Sequence, residues 1–256
     1  MVLQTLLDYL SAGLPPVPVG GTAPSRNTTN PRYGAEDINQ VVSWPEFNYS
    51  TIIQRYGVPL QSRQIQSDPL TSPPAAIRDE AQFQLRFAEL ILPRIRRSLR
   101  AAFEQLASEF ATRRLSPVTF DGGSAASIID LFRPDTAFIA VGGSAASSPN
   151  RAPGDLKVSW KWQSSWRYSQ TLVEQREYKQ VLAQVNFYMR QHNARYGYIL
   201  TNTEFVAVKR LEGSGRLAVS TAVPWTRGGV GELSVLLALW YLGMLAAEDA
   251  SWFLNA

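Results

Sequence analysis

The stretch that decides the fold is Gly154-Asp155-Leu156-Lys157-Val158-Ser159-Trp160-Lys161-Trp162, GDLKVSWKW over 154–162. It alternates without a fault. Successive strand side chains take opposite faces, so the pattern predicts a strand over 155–162. Leu156, Val158, Trp160 and Trp162 point one way in that strand, and Asp155, Lys157, Ser159 and Lys161 the other. The polar row is either the wetted side of a sheet or a working site.

Working outward, SIIDLF (127–132) and TAFIAVG (136–142) read as strands before it. Residues 77–114 carry a helical pattern, with Pro93 expected to kink or split the helix. After the quoted stretch, Tyr178, Val181, Leu182, Val185, Tyr188 and Met189 fall at helical spacing and predict a helix over 169–193. RYGYILTN (195–202), EFVAVKRL (204–211) and RLAVSTAV (216–223) read as strands, and LSVLLALWYLGMLAA (233–247) as a buried core helix. That last run is shorter than the roughly 20 residues that span a bilayer, and acids bracket it. The order helix, three strands, helix, strand, then a hairpin and a final helix, predicts a mixed α/β fold with a central mixed sheet flanked by helices. Residues 1–72 are rich in Pro, Gly, Ser and Asn and read as an N-terminal arm or docked extension, leaving 73–256 as the main domain. GGSAAS occurs at 122–127 and again at 142–147 without a following Gly-Lys-Ser/Thr, so neither copy is a P-loop and both read as flexible connectors.

Composition narrows the chemistry. The 256 residues include no cysteine, which excludes disulfides, thiolate metal sites and cysteine nucleophiles. The single His192 excludes multi-histidine metal sites and reads as a cation capping a helix C-terminus. Any metal would be held by oxygen ligands, which suits Mg²⁺ or Mn²⁺. The net charge of +4 permits an anionic partner without demanding one. The N-terminus lacks a secretory pattern, so an intracellular, cytoplasmic or nuclear, protein without membrane association is expected.

Arg133-Pro134-Asp135 stands twenty residues before Asp155, at the mouth of the preceding strand. A direct antiparallel hairpin leaves Asp135 opposite the far end of 155–162, whereas a bend or bulge brings it beside Asp155. If the two acids meet, they form a hard-oxygen site for a divalent cation. Lys157 then lies on the same strand face, about 6.6 Å further along, where it orients water and stabilises charge on a phosphate. On the helix that follows, Gln180 and Gln184 share a face, and Gln184 is placed to bind the water or a phosphate. Glu80, Glu89 and Glu104 on the first helix are candidates for a further acid, with Glu80 preferred.

With these residues in place, the chain resembles the PD-(D/E)XK nuclease-like superfamily, and a group of fungal proteins assigned to it. The resemblance rests on RPD (133–135), PGDLKVSWKW (153–162), EYKQVLAQVNFYMRQHNARYGYILTNTEFVAVKRL (177–211) and LLALWYLGMLAA (236–247). It implies a restriction-endonuclease-like αβββαβ core, with metal bound by Asp135 and Asp155 and the water served by Lys157. It also implies Mg²⁺- or Mn²⁺-dependent hydrolysis of DNA or RNA phosphodiester bonds. Two other readings stand beside it. One is a non-cleaving nuclease fold used for nucleic-acid binding; the other is the same pocket reused for a transfer reaction on an aminoacyl-tRNA or a small metabolite.

The basic and aromatic features divide in the same way. Arg94, Arg96, Arg97 and Arg100, with Arg113 and Arg114, read as a solvated helix face or as phosphate contacts. Lys157, Lys161, Trp166, Arg167 and Tyr168 mix cations with aromatics that suit base stacking or core packing.

Overall fold

A computed structural model describes residues 2–21, 26–70, 72–144 and 147–254. In chain order the elements are β1 (Leu3–Thr5), α1 (Leu6–Leu10), β2 (Gln40–Ser43), α2 (Tyr49–Ser62), β3 (Gln64–Gln66), α3 (Glu80–Leu90), α4 (Leu92–Gln105), α5 (Phe110–Arg113), β4 (Val118–Gly122), β5 (Thr136–Ala140), β6 (Gly154–Leu156), α6 (Leu172–Gln191), β7 (Tyr196–Leu200), β8 (Glu204–Arg210), β9 (Arg216–Val219), β10 (Val223–Pro224) and α7 (Val235–Ala247). The main sheet runs β2-β9-β8-β7-β6-β5-β4, with β10 also paired to β8. β6/β7 and β2/β9 are parallel, and the other pairs are antiparallel. This is the expected mixed sheet flanked by helices, with the segment from α3 to β7 in the order helix, three strands, helix, strand.

Strand alternation feeds two cores. On β7, Tyr196, Tyr198 and Leu200 enter a cluster with α4 and α7, while Ile199 enters a second cluster against α6. On β8, Phe205 and Ala207 take the first side, Val206 and Val208 the second. A sheet covered on both faces reads as a near-continuous apolar run, and these strands do. Every residue of α7 is buried, which explains a helix apolar all round. Among the described residues no helix is long and apolar enough to cross a membrane.

Helix boundaries follow local chemistry. Asp79 caps α3 by accepting the Gln82 N–H at 2.8 Å, and Ser234 caps α7 by accepting that of Leu237 at 3.0 Å. The long helical pattern divides at Ile91, and Pro93 sits in the first turn of α4, where its missing N–H costs nothing. Residues of the first 72 dock on this body. β1 pairs with β3, Tyr56 of α2 packs edge-on against Trp240 of α7, and β2 joins the sheet beside β9.

Three expectations need correction. The strand before β5 is 118–122, not 127–132; the latter turns tightly, with positive φ at Asp130 and Leu131 and a bridge between Ile129 and Phe132. The strand expected over 155–162 ends at Leu156. Lys157 N–H still reaches Leu200 O at 2.9 Å, but the chain then turns, with Ser159 N–H captured by Asn202 Oδ1 at 2.8 Å and Lys161 N–H by Val158 O at 2.9 Å. Trp162 consequently crosses to the α6 side and stacks on Tyr178, while Leu156 and Val158 stay in the α7-side core. The first GGSAAS is a built turn rather than a flexible connector. Gly123 N–H bonds Asp135 O at 2.9 Å, and a Cβ on Gly123 would fall 1.7 Å from Pro134 O. In the second copy, Ala145 and Ala146 lie outside the described residues.

Candidate active site

Asp135 and Asp155 meet because the return leg of the β5–β6 connection begins pairing early. Arg151 N–H bonds Phe138 O at 2.8 Å, Thr136 pairs with Gly154, and Asp135 N–H bonds Gly154 O at 3.1 Å. The strand starting at 136 therefore faces 150–154, and Asp155 emerges beside Asp135. Asn150 sets this register. Its Oδ1 accepts from Phe138 N–H at 3.1 Å and Ala152 N–H at 3.3 Å, and its Nδ2 donates to Thr136 O at 2.8 Å. Asn150 N–H in turn donates to His192 Nδ1 at 3.2 Å, so His192, at the C-cap of α6, acts as an acceptor. Burial lowers its pKa to about 4, which corrects the expected capping cation to a neutral imidazole. Gly154 is required at the junction: a Cβ there would meet the Tyr198 ring at 2.1 Å and Thr136 Oγ1 at 2.4 Å.

Five charged groups then share one end of the sheet. Lys157 Nζ lies 3.0 Å from Asp155 Oδ2 and 3.8 Å from Glu80 Oε1. Lys161 Nζ lies 3.4 Å from Glu80 Oε2. Glu80 begins α3, where a carboxylate also suits the helix dipole. Asp135 Oδ2 accepts the Leu156 N–H at 2.7 Å, and Oδ1 accepts from Gln84 Nε2 at 3.0 Å. Asp155 is 2% and Lys157 8% exposed, so the polar row is no wetted surface.

Burial dominates the electrostatics. It pushes the Asp155 carboxyl up to about 7, against the pull of the Lys157 ammonium and with the push of Asp135. It raises Asp135 as well, opposed by Lys157, by the Leu156 N–H and by a hydrogen bond from Asp155. Burial alone would lower Lys157, but Asp155, Glu80 and Asp135 overcome it, and the amine is held protonated. Tyr33 and Tyr188 line the same region and are raised, first by burial and then by the Asp155 charge.

Asp155 Oδ2 and Glu80 Oε1 are buried without a hydrogen-bond partner, although each lies near the Lys157 ammonium. Hard oxygen donors with unspent lone pairs are what Mg²⁺ or Mn²⁺ takes, so the donor set fits such an ion. Yet among the described residues no three His, Cys, Asp or Glu side chains stand close enough to hold one; the ammonium spans that space.

Of the other candidates, Gln184 does not touch the acids. Its Nε2 donates to Tyr188 OH at 3.0 Å. Gln180 ties α6 to the N-terminal segment, accepting from Ala35 N–H at 3.1 Å. Glu89 pairs with Arg86 and Glu104 with Arg63, which leaves Glu80 as the first-helix acid at the site. The arginines of α4 are mostly spent on structure: Arg94 bonds Leu90 O and Asp68 O, Arg96 bonds Phe120 O and pairs with Asp121, and Arg97 lies over the Tyr9 ring. Arg167 donates to Val41 O of β2, so only Lys157 and Lys161 of the mixed cationic row belong to this site. Gln84 was not foreseen. It lies one turn after Glu80, and that spacing carried the signal.

Compared with known protein families, curated proteins and solved structures, the chain matches none.

Proposed function

We propose that this protein is a metal-dependent phosphodiesterase of the PD-(D/E)XK nuclease-like kind, hydrolysing nucleic-acid backbones. The observation that carries the reading is the gathering of Asp135, Asp155 and Glu80 around one buried ammonium, Lys157. Asp135 and Asp155 would hold Mg²⁺ or Mn²⁺, which when bound neutralises phosphate charge and acidifies the attacking water, with Glu80 facing them across the Lys157 ammonium. Lys157 stays protonated, so it acts as a donor: it orients the attacking oxygen and offsets charge growing on the phosphate. Gln84 and the Leu156 N–H fix Asp135, and Lys161 holds Glu80.

The test is cleavage of labelled DNA and RNA in Mg²⁺ or Mn²⁺ by the wild type, Lys157→Met and Asp155→Asn. Loss of about a hundredfold or more in both variants supports the reading; equal rates in all three overturn it. One observation favours a second reading, a fold kept for binding without turnover. The Lys157 ammonium already occupies the space between Asp155 and Glu80, and both Asp155 and Lys157 are buried. Salt-sensitive nucleic-acid affinity with no divalent-dependent cleavage by the wild type would select it.

A further inference from the structure

A second polar cavity, of about 420 Å³, lies between the last turn of α6 and the β8–β9 turn, bordered by Asn186, Arg190, Arg210, Glu212 and Arg216. Asn186 and Arg190 share one face of α6. Gln184 and Tyr188 stand about 200° around the helix from them, so the cavity is separate from the acid–lysine site. Its charge is positive and poorly neutralised. Arg210 is 6% exposed, and it is held by neutral acceptors only: Met189 O at 3.1 Å, Ala194 O at 3.2 Å and Leu254 O at 3.3 Å. Three of the five guanidinium donors are thereby used, and the others remain. Arg216 is pinned in the same manner, by Gln40 Oε1 at 2.9 Å and Glu212 O at 3.1 Å.

Carbonyl and amide acceptors orient a guanidinium without cancelling its charge. Arg210 feels repulsion from Arg190 and Arg195, beyond the cost of its burial, and no carboxylate opposes it among the described residues. Among the described residues Arg190 has no ion pair or hydrogen-bonded side chain. Among the described residues only Glu212 brings a carboxylate to the rim. The second, independent observation is Asn186. It is 5% exposed and lines the cavity, yet its amide has no partner among the described residues. Its amide atoms stay open to the cavity, where they can bond a ligand.

We propose that this cavity is an oxyanion site that takes a phosphate group, with Arg190 and the remaining donors of Arg210 and Arg216 on its oxygens and the Asn186 amide as a neutral donor. Arginine forks match phosphate oxygens in geometry as well as charge. The volume lies in the range of small-molecule sites, so the cavity admits the phosphate together with the group it is attached to.

The experiment is thermal melting and calorimetric titration of the full chain with inorganic phosphate, against sodium chloride at equal ionic strength. Phosphate should raise the melting temperature of the wild type. Arg190→Gln and Asn186→Leu should each weaken phosphate binding, the former about tenfold or more, and Arg190→Lys should retain part of it. Lys157→Met should keep the phosphate response that Arg190→Gln loses; a response lost in Lys157→Met and kept in Arg190→Gln would place the phosphate at the acid–lysine site and overturn the proposal. A mononucleotide that binds more tightly than phosphate assigns a terminal phosphate. Competition by an oligonucleotide lacking terminal phosphates assigns a backbone diester. Equal melting in phosphate and chloride, or undiminished binding by both Arg190→Gln and Asn186→Leu, overturns the proposal.

Discussion

Replacing His192 by Asn should flatten one part of the acid-stability profile of this protein. The buried imidazole has its pKa lowered to about 4, from an ordinary value near 6.5. The folded state therefore binds fewer protons than the unfolded state between these limits, and stability falls as the solution is acidified through them. A difference of about 2.5 pH units at 1.36 kcal/mol each gives a loss of about 3 kcal/mol from pH 6.5 to pH 4. That loss is large beside the 5–15 kcal/mol typical of a folded domain. Asp155 works in the opposite direction, because its folded pKa is raised to about 7: its contribution falls as pH rises through the same range. The wild-type profile alone therefore mixes two opposed slopes. The difference between wild type and His192→Asn isolates one of them, since Asn still offers an oxygen to the Asn150 N–H. Urea unfolding at a series of pH values measures it. The advantage of wild type over variant should shrink by about 3 kcal/mol on going from pH 6.5 to pH 4. A constant difference, or one that grows with acid, refutes a neutral buried His192.

The register around Asp135 gives further predictions. Gly154→Ala forces a Cβ into the Tyr198 ring and should cost about 3 kcal/mol or prevent folding, read by urea unfolding. Asn150→Ala strands three backbone groups, Phe138 N–H, Ala152 N–H and Thr136 O, and should cost about 3 kcal/mol while lowering any divalent-dependent activity. Gln84→Leu removes one donor from Asp135 at an exposed helix position. It should leave stability within about 0.5 kcal/mol of wild type and reduce turnover, as separate unfolding and cleavage assays would show.

The sheet core was legible because its signals are local and redundant. The near-continuous apolar runs of β7 and β8, the helical spacing of α6 and the uniformly apolar α7 each follow from a single physical rule. The quoted stretch misled for an equally physical reason. Its alternation persists to Trp162, but Asn202 captures the Ser159 N–H across forty-three residues and turns the chain, and no local pattern reports so distant a partner. The meeting of Asp135 and Asp155 was hidden likewise: it depends on Asn150, an ordinary loop residue by sequence, reading the β5 backbone with both ends of its amide. Residue types at the site, Lys161 among them, were readable; Tyr33 belongs to it through tertiary approach.

The account turns on Asp135 and Asp155 acting as one cation site. Calorimetric titration of Mn²⁺ into the wild type, Asp135→Asn, Asp155→Asn and Glu104→Gln tests this most directly. Saturable binding by the wild type and Glu104→Gln, lost in both aspartate variants, is the predicted result. Mn²⁺ heats that are absent from the wild type, or unchanged by either aspartate substitution, would contradict it.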